Sequence, residues 1–192
     1  EECSNGGSVR LLWEHEQGFI ALDKPHDMRI DLPSGKGRHW PGERTVADWF
    51  MERYPGAVVR FCHQLDSATS GVLLMASTKA AARKGGIAFV KRRARKTYLA
   101  LVLGHPPWDS DTHLQHRLAA GEPRHVAGDD EDGEEAETVV RVLRRGRWAA
   151  ENLEDAVPAA CVEARPFTGR QHQIRLQLAA SGFPILGDRT YG

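Results

Sequence analysis

Residues 61–71 read FCHQLDSATSG. An apolar start gives way to a carboxylate, then to a run of Ser, Thr and Gly. That order places Asp66 at the end of a strand, where side chains point into clefts, with a turn behind it. Thr69, Ser70 and Gly71 supply hydroxyls and backbone amides able to fix a carboxylate. On the local pattern alone, the plainer reading of Asp66 is an Asx-turn residue.

The chain on either side of that turn reads as mixed structure. Residues 58–63 and 72–76 are strand-like and flank it. Residues 19–22 form a short apolar run ending at Lys24-Pro25, a strand entering a turn. Val46, Trp49 and Phe50 have helical spacing across residues 45–54, with Thr45 as N-cap and Pro55-Gly56 as the stop. Thr78 caps a helix over residues 79–93, weakened in its middle by Gly85-Gly86. Residues 97–103, 139–143 and 159–163 are strand-like. Residues 171–180 read as a helix stopped by Gly182. Helices interrupt strands irregularly and no βαβ repeat is visible, so the expected class is α+β with a largely antiparallel sheet.

Composition narrows the function classes. The chain has 192 residues, 26 basic and 26 acidic, and three cysteines. The length predicts one domain, residues 1–192, able to bury a core unaided. No apolar run approaches the roughly 18 residues of a membrane helix. Zero net charge argues against a globally basic nucleic-acid binder, though not against a local basic face. Cys3, Cys62 and Cys161 are odd in number and widely spaced, which points to a reducing, intracellular compartment; cytoplasm, nucleus and organelle stay open. The first residue is Glu1, not Met, so an N-terminally trimmed chain is expected. Charge is segregated all the same. Residues 83–96 carry seven bases and no acid, and residues 129–137 carry seven acids and no base. The acidic block, within residues 121–137, reads as a flexible surface loop.

Two further segments carry chemistry. Residues 96–102, KTYLALV, set Tyr98 in an apolar strand. It reads as core with its hydroxyl satisfied, or as a ring that stacks on a base. Residues 168–181, TGRQHQIRLQLAAS, open a helix carrying Arg170, His172 and Arg175. His172 and Arg175 are three apart and share a face, while Ile174 and Leu178 face the core. A guanidinium on a packed helix is a good two-point partner for a carboxylate or phosphate; the alternative is a surface helix with ordinary basic residues. His113 and His116 lack surrounding Cys or acidic ligands and read as a surface pair rather than a metal site. Cys62 reads as buried core, and Trp13, Trp40, Trp108 and Trp148 as packing.

Taken together, FCHQLDSATSG, KTYLALV, TGRQHQIR and the terminal GDRTYG of residues 187–192 resemble the RluA-type RNA pseudouridine synthases, in family order. LDKP at residues 22–25 looks like that family's first motif. The stretches FCHQLD and MRID look most like its eukaryotic "RNA pseudouridine synthase domain-containing" branch.

The resemblance implies the family's catalytic fold: a mixed, mostly antiparallel sheet flanked by helices, with a central cleft and Asp66 at its floor. It implies cleavage of the uridine N1–C1′ bond, rotation of the base and rejoining through C5, with no metal or organic cofactor. Asp66 matches the catalytic carboxylate, which attacks C1′ or removes the 2′ proton. Tyr98 matches the tyrosine that packs on the base. Arg175 matches the basic residue that pairs with the carboxylate. Lys24, His63, Gln64, Thr69, Arg170 and His172 are expected to bind substrate, and Arg92, Arg93 and Lys96 the RNA backbone. The partner implied is RNA, with transfer, ribosomal and messenger RNA all open and oligomeric state unspecified. The second reading is a catalytically silent RNA-binding module that keeps the fold. Gln64 stands where most of the family carries Arg, and Asp27 where Gly is common. Relatives continue past residue 192, so a C-terminally truncated chain is expected.

Overall fold

The computed structural model describes residues 7–31, 42–121, 123–129, 131–149 and 155–192. Cys3 and Trp40 lie outside the described residues. The chain divides into two compact units, Glu1–Ala94 and Arg95–Gly192, each with its own core.

The first unit holds strands β1 (Arg10–Glu14), β2 (Phe19–Lys24) and β3 (Gly71–Ala76) in the order β1-β2-β3, with helices α1 (Val46–Arg53) and α2 (Lys79–Val90). Alternation along β2 turns Ile20 and Leu22 inward, where they meet Leu73 and Met75 of β3 and Val46 and Phe50 of α1. The start of α1 follows its capping signal. The Thr45 hydroxyl accepts from the Asp48 amide at 3.2 Å, and the Asp48 carboxylate accepts from the Thr45 amide at 2.8 Å.

Two expectations in this unit are corrected. Residues 58–63 are not a strand; they reach β3 only through the Phe61–Met75 bridge and neighbouring bonds. The Leu74 amide is taken at 3.0 Å by the His63 imidazole Nε2 rather than by a backbone carbonyl, which ends the ladder there. Helix α2 stops at Val90, short of Arg93, and Arg92 is left-handed at φ 54°.

Gly85-Gly86 nevertheless lies inside α2. A Cβ on Gly85 would collide with the Cys62 Sγ and sit 3.0 Å from its Cβ, whereas a Cβ on Gly86 meets nothing within 4 Å. The first glycine lets the helix approach Cys62, whose thiol pKa burial pushes up. Gly85→Ala is therefore expected to lower stability by about 1–2 kcal/mol, because overpacking outweighs the gain in helix propensity. Gly86→Ala is expected to raise it by about 0.5–1 kcal/mol. Urea midpoints of the two variants should move in opposite directions.

The second unit is a five-stranded sheet in the order β4-β8-β7-β5-β6: β4 (Tyr98–Leu103), β5 (Thr112–Ala119), β6 (His125–Val126), β7 (Glu134–Trp148) and β8 (Val157–Pro166), followed by α3 (Gln173–Ala180). Every strand pairing among the described residues is antiparallel. Leu178 of α3 packs on Val102, Val140 and Val162, with Ile174 beside it.

The acidic block is in part strand, where a loop is expected over residues 121–137. Residues 134–137 are strand, paired with β5, and Ala136 is buried. Three of its acids have these partners: Glu131 with His125 at 2.8 Å, Glu134 with Arg124 at 3.0 Å, and Glu137 with His113 at 3.0 Å. The Arg124 charge and the two imidazole hydrogen bonds offset the repulsion that the bare sequence suggests.

Residues 171 and 172 precede α3, and His172 occupies its N-cap in the left-handed region at φ 56°. His113 and His116 lie on β5, where a spacing of three puts them on opposite faces. The His116 Nδ1 is buried without a hydrogen-bond partner, and burial lowers that imidazole's pKa. Among the described residues there is no group of three or more His, Cys, Asp or Glu able to hold a metal ion. No helix of those residues is long and apolar enough to cross a membrane.

Candidate active site

In the first unit the site is built around Lys24. Period two puts Lys24 on the same face of β2 as Ile20 and Leu22, and all three are fully buried. Its ammonium donates to three carbonyls: Pro25 O at 2.8 Å, Met28 O at 2.7 Å and Ser67 O at 2.9 Å. Three donors meet three acceptors, which is how a cation becomes tolerable in a core. Burial pushes the ammonium's pKa down to about 8, while Asp27 and Asp66 pull it back up.

The Ser67 carbonyl belongs to the turn that carries Asp66. That turn closes through Thr69 N–H to Asp66 O at 3.1 Å, and Ser67 O also accepts from the Met28 amide at 3.2 Å. Asp66 is half-buried on it, with Gln64 exposed and Thr69 partly exposed. Residues 24–28 and the turn that carries Asp66 are thus one hydrogen-bonded unit. Asp27 holds the Lys24–Met28 turn in the left-handed region at φ 55°, a conformation Asp tolerates better than most residues.

His63 has several contacts of its own. Its Nε2 accepts the Leu74 amide, its Nδ1 lies 3.3 Å from Gln64 O, and its ring stacks on Phe89 with centroids 4.5 Å apart. Those bonds place the proton on Nδ1 and make His63 a brace for the segment leading into Asp66.

In the second unit the candidate residues gather at the start of α3. Thr168, Gln173, Gln177 and Thr138 are buried and mutually bonded. Thr168 Oγ1 donates to Gln173 Oε1 at 2.7 Å, Gln173 Nε2 to Thr138 Oγ1 at 2.9 Å, and Thr138 Oγ1 to Gln177 Oε1 at 2.6 Å. Gln177 Nε2 donates onward to Leu114 O and Ala136 O. This network locks α3 against β5 and β7 and fixes the helix that carries Arg175.

Arg175 is held on two sides. Asp188 accepts from its Nε at 2.7 Å and its Nη2 at 2.8 Å, and its Cζ lies 5.0 Å from the centre of the Tyr191 ring. The Tyr191 hydroxyl lies 2.8 Å from His172 Nδ1. So His172 and Arg175 do meet, but through Tyr191 rather than along one helix face.

The remaining expected residues are placed differently. Arg170 pairs with Glu134 at 2.6 Å and donates from Nε to Glu135 O at 3.1 Å. Lys96 donates to Thr168 O at 2.9 Å, tying the start of β4 to the turn before α3. Arg92 and Arg93 are exposed, and Tyr98 is partly buried at the first position of β4. Asp188, Tyr191, Gln173 and Gln177 lie outside the expected set. The GDRTYG segment was the signal for the first two, and glutamines on the buried face of α3 for the others.

Comparison with known proteins agrees with this architecture. The chain is 33% identical over 189 residues to human RNA pseudouridylate synthase domain-containing protein 1, covering 91% of this chain and 57% of that protein. It is 36% identical over 178 residues to the dual-specificity RNA pseudouridine synthase RluA of Escherichia coli, covering 90% of this chain and 76% of that one. The solved structure of human RNA Pseudouridylate Synthase Domain Containing 1 superposes with a TM-score of 0.79 at 32% identity, over 96% of this chain and 70% of the other. The chain therefore spans less than two thirds of the length of its human relative. Residues 18–180 match the pattern of the family described as RNA pseudouridylate synthase, and the α+β fold, the motif order and this match together show that the chain belongs to that family.

Proposed function

We propose that this chain isomerises uridine to pseudouridine in RNA, with Asp66 as the catalytic carboxylate. The observation that carries the reading is the Asp66 turn itself: a half-buried carboxylate on a turn anchored by a fully buried lysine, inside the family's matched region. Glycosidic cleavage leaves charge developing on the sugar and on the base. A fixed carboxylate serves either route, attack on C1′ or removal of the 2′ proton. Tyr98 packs on the uracil and Arg175 supplies the positive charge the reaction needs. The uridine must leave its stack to expose C1′ and C5. A loop uridine is the expected target, because single strands present their bases for reading.

The test is pseudouridine mapping by a carbodiimide-stop assay on total RNA treated with the protein. New stops at discrete uridines support the reading and name the substrate. Bound RNA without new stops would leave a silent binding module, and release of free uracil would make the protein a hydrolase.

Arg92 and Arg93 are the exposed cations we assign to phosphate contact. Replacing both with Ala is expected to reduce the slope of log affinity against log salt by about two, roughly one per lost contact, with all RNAs weakened alike. Filter binding from 50 to 300 mM salt, with an unmodifiable RNA, measures that slope. Lys96, whose ammonium already holds the Thr168 carbonyl, is better suited to bracing the turn before Arg170.

A further inference from the structure

We propose that Asp188 is a positioning residue for Arg175: its carboxylate fixes the guanidinium and so decides which N–H groups Arg175 offers to the reaction. The inference rests on the role given to Arg175 in the proposed function.

An arginine has five N–H donors in one plane on a long, rotatable stem. Asp188 consumes one edge of that plane, through Nε at 2.7 Å and Nη2 at 2.8 Å. The Tyr191 ring covers a face, 5.0 Å from Cζ. Two of the five donors are thus committed to Asp188, which sets the plane and rotation of the guanidinium. A side chain held at one edge and one face has little freedom left to lose when the transition state forms.

Asp188 is itself rigidly held. Its side chain is 4% exposed, against 20% for Arg175. Its Oδ1 also accepts the backbone amides of Thr190 at 3.0 Å and Tyr191 at 3.2 Å. Gly187 before it takes φ +77°, a turn conformation that suits glycine. With four hydrogen bonds converging on it, the carboxyl is held ionised, its pKa lowered to about 2 chiefly by Arg175. Tyr191 closes the arrangement, since its hydroxyl reaches His172 at the N-cap of the helix that carries Arg175. The pair adds stability at neutral pH, since the carboxyl's pKa is lowered on folding, and the same bonds also fix direction.

The test compares wild type, Asp188→Asn and Asp188→Glu on the RNA named by mapping. Both kcat and KM are measured, together with thermal melting and the ¹H–¹⁵N NMR signal of the Arg175 Nε–H. Asp188→Asn keeps the size and the turn but weakens the two-point pair. Its melting temperature is expected to fall, and its kcat, measured where it is fully folded, to fall about 10–100-fold, with KM within about twofold and the Nε–H signal moved toward that of a free arginine. Asp188→Glu keeps the charge but shifts the carboxylate by one methylene. Its kcat is expected to fall about 10-fold, because the role is geometric. Wild-type kcat in either variant, an unmoved Nε–H signal, or kcat losses that vanish at temperatures where the variants are fully folded would each overturn the proposal. If Asp188→Asn does not fold, Asp188→Glu decides alone. If the wild type modifies no RNA, the functional reading fails, and the Nε–H signal still tells whether Asp188 fixes the guanidinium.

Discussion

Asp66→Asn is expected to lower pseudouridine formation by on the order of 10⁴-fold or more while RNA binding stays within about threefold of wild type. The substitution exchanges one carboxylate oxygen for an amide nitrogen and leaves the side-chain volume unchanged. An amide is neither a competent nucleophile at C1′ nor a base for the 2′ proton, so both routes are lost together. The turn itself should survive. Its closing bond, Thr69 N–H to Asp66 O, is a backbone bond, and its anchor is the Ser67 carbonyl on Lys24. The melting curve therefore separates loss of chemistry from loss of fold. One indirect cost is expected. The Asp66 charge helps to hold the buried Lys24 ammonium protonated, so removing it weakens that support slightly. Single-turnover assays on the mapped RNA measure the rate, and gel shifts measure the affinity. Turnover near the wild-type rate would remove Asp66 from the chemistry.

Much of this site is legible in the sequence because its signals are local. The Thr45–Asp48 capping box, the period-two run of β2 and the Ser/Thr/Gly turn after Asp66 each lie within a few residues of what they specify. Other features depend on partners far along the chain. The fifteen residues of β7 include paired glutamates and paired arginines, and they form a strand because β5 and β8 lie on either side. Residues 58–63 carry strand-like residues, yet the His63 ring takes the Leu74 amide and stops the ladder. Gly85 reads as a helix-weakening residue until its closeness to Cys62 is seen.

The same limit applies to the site residues. Lys24 is recognisable as part of a motif, and strand alternation already places it on the face of Ile20 and Leu22. Its burial and its bond to a carbonyl 43 residues away follow only from the fold. Arg175 and Asp188 are 13 residues apart, joined by the chain reversal at the end of α3. No spacing rule for a helix or a strand brings such a pair together.

Lys24→Met is the substitution expected to destabilise the first unit most. Met roughly preserves the volume, so the change isolates the ammonium. It leaves Pro25 O, Met28 O and Ser67 O without their donor, at a cost of about 1–3 kcal/mol for each acceptor that water cannot reach. Against this stands relief from burying a charge, itself several kcal/mol. The same burial penalty is what lowers the ammonium's pKa to about 8. We expect the lost bonds to win, with a net destabilisation of about 3 kcal/mol and a melting temperature lower by about 6–12 °C for a chain of this length. The sign of the pH dependence separates the two contributions. The unfolded lysine keeps its proton up to its ordinary value of 10.5, and the folded one only to about 8. Unfolding therefore takes up a proton between those values, and the stability that Lys24 confers rises as pH increases through that window. The gap between wild type and Lys24→Met should widen from pH 8 to 10.5, and urea titrations at pH 7, 9 and 10 measure it. An unchanged or raised midpoint in the variant at pH 7 would mean that a dry apolar core suits this fold better than a bonded cation. Activity adds a second reading at temperatures where the variant is still folded. If the lysine's task is to hold the Asp66 turn, kcat falls there too, because a carboxylate on an unanchored turn no longer meets its substrate in a fixed geometry.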